Sequence, residues 1–139
     1  MYNLKSNKLF KISKEEFERI VAEGIDAIPE IFLKKLDNVA VFIESEPNLA
    51  QRKKLKLRKN WTLLGLYEGV PQTARGAHYT NIVPDKITIF QKPIEESAHD
   101  IDDVREIVKN TVWHEIAHHF GMDEGQVRSA EARRKSKKF

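Results

Sequence analysis

The stretch HEIAHHFGMDE, residues 114–124, brings three of the chain's five histidines together with three carboxylates. Its spacing is the informative part. On a helix, His114 and His118 stand one turn apart, with Cβ atoms about 5–6 Å from each other. Two imidazoles leaning together from that separation both reach one zinc ion at about 2.0–2.1 Å. Glu115 is turned roughly 100° from His114 about the helix axis. It is poorly placed as a ligand, but its longer side chain reaches a water bound to the same metal. The pattern His-Glu-x-x-His therefore reads as two ligands and a general base. A third ligand must come from beyond the helix. Gly121 permits the left-handed turn that stops a helix, after which the chain doubles back. Glu124 is the favoured third ligand, Asp123 is the alternative one residue earlier, and Glu131 from a following helix stays open. Asp123 has a competing use as the cap of that last helix, with Gln126 completing the box. His119 lies off the ligand stripe and reads as a residue that packs or that orients the ligands.

These residues need a rigid helix beneath them, and DDVREIVKNTVWHEIAHHF supplies one. Asp102 or Asp103 is the expected N-cap, and Asp103 with Glu106 resembles a capping box. Val104, Ile107, Thr111, His114 and His118 share one face, while Val108, Val112 and Ile116 form an adjoining apolar one. Upstream, Ser13 and Glu16 form a capping-box pattern before Phe17, Ile20, Val21 and Ile25 at helical spacing. PEIFLKKL is a second helix, opened by Pro29. NVAVFIES has strand composition. PNLAQRKKLKLRKN is helical by pattern, with Leu49 as its early anchor. TLLGLYEG and KITIF are further strands, and VPQTARGAHYTNIVPD between them is a long loop punctuated by Pro71, Gly76 and Pro84. After Gly121 the chain is helical again up to a basic tail. Helices, then a few strands, then helices argue for an α+β fold with a small sheet covered by helices on one side.

With 139 residues, 40% hydrophobic and 32% charged, the chain is expected to form one globular domain over 1–139, with a basic tail at about 133–139. No apolar run approaches a membrane span, and the start has neither the apolar stretch nor the cleavage site of a signal peptide. Cysteine is absent, which excludes disulfides and thiolate ligands and suits a reducing cytoplasm. Net charge is +3, concentrated in QRKKLKLRKN and RRKSKKF. Without interleaved aromatics these read as solvated surface rather than a nucleic-acid platform. Among other polar residues, Tyr67 and Arg75 read as packing or surface groups that could also stabilise an oxyanion. His78 reads as a loop residue, with a substrate or metal contact as its alternative, His99 as exposed, Glu68 as a surface strand-end residue, and Trp113 as core or cleft wall.

The combined pattern of HEIAHHFGMDE, LLGLYEGVPQTARG and PDKITIFQKPIE, over roughly residues 13–127, resembles the short bacterial zincin-like metallopeptidases, or minimal zincins. The eleventh place of the motif, histidine in metzincins, is the acidic Glu124 here, so this is not a standard metzincin. The resemblance implies an α+β zincin-like fold with the motif helix under a small mixed sheet. It implies zinc on His114, His118 and an acidic residue at Glu124 or its neighbour, and the strand KITIF along the cleft, where an edge strand holds an extended peptide. The expected activity is zinc-dependent hydrolysis of a peptide or protein substrate by a monomer, with Glu115 as base. The alternative is a non-catalytic, metal-stabilised binding module whose basic segments take an acidic partner or nucleic acid.

Overall fold

Ser13 starts the first helix by accepting the Glu16 N–H on its hydroxyl at 3.1 Å, which satisfies one of the orphan donors of a helix N-terminus. This helix, α1 (Lys14–Asp26), buries Phe17, Ile20, Val21 and Gly24 along one stripe. The Glu16 carboxylate turns outward to Arg19 and does not close the box. The computed structural model describes residues 2–3, 11–34, 36, 38–59, 61–69, 85–121 and 129. A two-residue strand, β1 (Tyr2–Asn3), precedes α1, and a single helical turn, α2 (Glu30–Leu33), follows it with Pro29 at its N-cap.

The next strand, β2 (Val39–Glu44), leads into a short helix, α3 (Leu49–Lys54). The α3 start is a full capping box: Gln51 N–H donates to the Asn48 side chain at 2.8 Å, and Asn48 N–H donates to the Gln51 side chain at 2.9 Å. This box turns Gln51 inward and leaves Leu49 83% exposed, so Leu49 is not the anchor its helical spacing suggested. The helix also ends inside the basic run, after Arg52, Lys53 and Lys54. Lys56 adopts φ +55°, and the Arg52 guanidinium donates to the carbonyls of Arg58 at 2.7 Å and Lys59 at 3.3 Å. The cationic segment is therefore a folded-back loop on a six-residue helix.

TLLGLYEG divides into two pieces. Trp61–Thr62 is β3, which pairs antiparallel with β1; Gly65–Glu68 is β4. The principal sheet has three strands in the order β2-β5-β4, with β5 (Asp85–Phe90) parallel to β2 and antiparallel to β4. KITIF is thus the central strand. Both of its edges are occupied, so it cannot receive an extended peptide as an edge strand. Its alternating sequence concealed this because Thr88 and Phe90 are as buried as Ile87 and Ile89. A central strand meets neighbours on both faces and both flanks.

From Phe90 the chain passes directly into α4 (Gln91–Ser97), a helix the apolar periodicity did not announce. Pro93 sits in its first turn, where a missing N–H costs no hydrogen bond. The buried Glu95 carboxylate accepts Ile12 N–H at 2.8 Å and Gln91 Nε2 at 3.1 Å, tying the entry to α1 onto α4. The long helix α5 (Ile101–His119) follows. Its cap is Asp100, which accepts Asp103 N–H at 2.8 Å, while the Asp103 carboxylate accepts His99 N–H at 2.9 Å. The capping pair is therefore Asp100 with Asp103, not Asp103 with Glu106. The helix starts earlier because this pair satisfies donors on both sides of the cap.

α5 packs between α1 and the sheet. Val104, Val108, Val112 and Ile116 join Phe17, Ile20 and Val21 of α1 and Ile87 and Ile89 of β5 in one core. Trp113 is buried with them and meets Phe32 edge-on at 5.1 Å between ring centres. The fold is α+β with a small mixed sheet, as expected. Among the described residues no helix is long and apolar enough to cross a membrane.

Candidate metal centre

The last two turns of α5 carry His114, Glu115, His118 and His119. His114 and His118 are half-buried, and their rings lie 4.9 Å apart between centres with planes inclined at 64°. Two imidazoles bonded at about 2.0–2.1 Å to one roughly tetrahedral ion have ring centres about 5 Å apart. The separation of the two rings is that of a pair sharing one ion. Among the described residues no third histidine or carboxylate completes the group. The three candidates Glu124, Asp123 and Glu131 lie outside the described residues, as do Arg75 and His78. Gly121 does end the helix: it has φ +78°, and its N–H donates to the His118 carbonyl at 2.9 Å.

Glu115 is only 8% exposed. Its surroundings explain a residue that the sequence pattern alone does not single out. A Cβ on Gly65 would lie 2.7 Å from Thr111 Cγ2 and 3.3 Å from Glu115 Cγ. The bare backbone of β4 thus lies directly against the helix at Glu115. Thr111 presents its methyl there because its hydroxyl donates back to the Ile107 carbonyl at 2.7 Å. A glycine inside a strand often marks such a close approach, so the signal was present in TLLGLYEG. Gly65→Ala is expected to push β4 from α5 and to cost about 1–3 kcal/mol, the usual range for overpacking. Denaturant unfolding measures it; wild-type stability in that variant would contradict the close packing.

His119 is fully buried, as is Asp85 of β5. His119 Nδ1 and Asp85 Oδ2 are 2.7 Å apart. The same oxygen accepts the Tyr67 hydroxyl of β4 at 2.8 Å, and the Tyr67 ring meets the His119 ring edge-on, 6.1 Å between centres. Gly69, with φ +155°, leaves room for this carboxylate; a Cβ there would stand 2.5 Å from Asp85 Oδ1. The Tyr67 hydroxyl is thus directed at Asp85. In the sequence Asp85 is only the end of a loop, since nothing local links it to a histidine 34 positions on. His99 is exposed as expected, and Glu68 ends β4 as expected but is half-buried rather than a surface residue.

The profile of the zincin-like metallopeptidase family matches residues 36–134 of the chain. Among solved structures, a conserved hypothetical protein from Thermo thermophilus superimposes with a TM-score of 0.52 at 24% identity, covering 87% of this chain and 99% of that one. This likeness concerns the fold. No curated protein matches the chain.

Proposed function

The chain belongs to the zincin-like metallopeptidase family, and from that membership we propose that it hydrolyses peptide bonds, with zinc held by His114, His118 and Glu124 and with Glu115 as general base. The observation that carries this reading is the His114–His118 pair, with ring centres 4.9 Å apart on the helix that also carries Glu115. Zinc in such a site supplies Lewis acidity, polarising the scissile carbonyl and acidifying water. The rest is done by the chain. Glu115 is only 8% exposed and packs where the bare β4 backbone at Gly65 meets the helix, which fixes the base beside the two histidines. It takes the proton of the attacking water and returns it to the leaving amine. Packing of α5 between α1 and the sheet keeps the base and the two histidines on one rigid element, so the substrate meets a preorganised arrangement. The test is digestion of a mixed peptide library by zinc-loaded protein, read by mass spectrometry. Cleavage that stops with chelator and returns with zinc supports the reading; no cleavage across broad libraries removes it.

The third ligand has its own test. Gly121 ends α5 just past His118, which favours a carboxylate arriving on the turn that follows. Glu124→Ala is expected to weaken zinc binding more than Asp123→Ala or Glu131→Ala in a competition titration against a chelator. If Asp123→Ala is the weakest binder, Asp123 is the ligand.

A further inference from the structure

Asp85 and His119 form a buried polar pair for which hydrolysis by His114, Glu115 and His118 has no use. A carboxylate and an imidazole in a core are hard to explain as stability devices, because an apolar pair of similar volume does as well or better. The arrangement is also incomplete. His119 Nε2 is buried without a hydrogen-bond partner among the described residues, and an unsatisfied buried nitrogen is destabilising.

We infer that Asp85, His119 and Tyr67 form a latch that sets the roll of the last turn of α5 and thereby the presentation of His118 and Glu115 to the metal. This inference rests on the zinc reading above. One oxygen, Asp85 Oδ2, receives both Tyr67 Oη–H at 2.8 Å and His119 Nδ1 at 2.7 Å. A carboxylate only accepts, so His119 donates from Nδ1. Asp85 is itself fixed: it is the first residue of β5, paired in register with Val39, and its N–H donates to the Asn38 carbonyl at 2.9 Å. Three elements, β4, β5 and α5, therefore meet on one atom. The rest of α5 is packed through Val104, Val108, Val112 and Ile116, and the Asp85–His119 bond adds a directional constraint at its last turn. His119 lies four residues after Glu115, on the same side of the helix toward β4: Glu115 meets Gly65 and His119 meets Tyr67. It lies one residue after His118, about 100° around the axis. A directional bond at His119 consequently fixes the angle of both groups, as partners of metal ligands commonly do at closer range.

The test compares wild-type protein with Asp85→Asn and Tyr67→Phe. Zinc affinity is measured by chelator competition, coordination by the visible spectrum of the cobalt(II)-loaded protein, and the last turn by hydrogen exchange of residues 117–121 in metal-free protein. The latch predicts about a 10–100-fold loss of zinc affinity in Asp85→Asn, by analogy with other residues that orient ligands. It also predicts an altered cobalt spectrum and faster exchange at 117–121 than in α1. Tyr67→Phe removes one of the two bonds and is expected to change all three in the same direction but less; it decides the matter if Asp85→Asn does not fold. A lowered melting temperature with unchanged zinc affinity and cobalt spectrum would show a merely structural pair and overturn the latch. Failure of the hydrolase reading looks different: wild-type protein then binds zinc and cobalt but cleaves no peptide, and the latch comparison still reads out. A wild-type protein that binds neither metal overturns the zinc reading and the latch together.

Discussion

Glu115→Gln is expected to keep the fold and the metal and to lose peptide hydrolysis by about 10²–10⁴-fold, the usual worth of a positioned general base. Glutamine has the size and shape of glutamate, which matters at a position only 8% exposed. The Gly65 backbone packs near Glu115 Cγ, an atom that glutamine keeps in place. Glutamine cannot take the proton of the attacking water. The loss should fall mainly on turnover and little on substrate binding, since the base acts in the transition state. The measurement is cleavage of the same mixed peptide library by zinc-loaded wild-type and variant protein, with zinc content and unfolding recorded beside it. Equal cleavage by the variant would remove Glu115 from the chemistry. Loss of zinc together with activity would place Glu115 in the ligand set.

What could be read before the structure divides along a physical line. α5 was legible because its apolar residues repeat at helical spacing over 19 positions, and because His114, Glu115, His118 and Gly121 are tied by covalent distance alone. α1 was legible for the same reason. The central place of β5 was not: strand order depends on pairing between segments far apart in sequence, and two buried faces can still alternate in chemistry. Leu49 misled because a leucine at the start of a helical run normally faces inward, whereas the capping box between Asn48 and Gln51 settled which side of α3 is buried. α4 has too few residues for a period to show. Within the site, the two imidazoles and the base were readable, but Gly65 and Asp85 were not recognised. Their roles exist only once β4 and β5 lie against α5. A local spacing rule finds groups that share a helix and misses those that hold the helix in place.

His114→Ala and His118→Ala should each abolish tight zinc binding, while His119→Ala should retain close to one zinc per chain at weaker affinity. The contrast follows from geometry. The rings of His114 and His118 lie edge-on, 4.9 Å between centres, one helical turn apart, and removing either leaves a single imidazole. One imidazole and a carboxylate fall short of the three or four protein ligands that give catalytic and structural zinc sites their affinity. His119 is spent differently: its Nδ1 is bonded to Asp85 inside the core, turned away from the His114–His118 stripe. Alanine there leaves the ligands in place but unlatches the turn that carries His118 and opens a buried cavity, so the variant should also unfold more easily. Elemental analysis of the three purified proteins after zinc reconstitution and desalting, with a chelator titration of any that retain metal, separates the cases. Equal and complete loss in all three would mean that His119 is a ligand or that its removal unfolds the site; a circular dichroism melt of His119→Ala tells these apart. Full retention of zinc in His114→Ala or His118→Ala would contradict the assignment of that residue as a ligand.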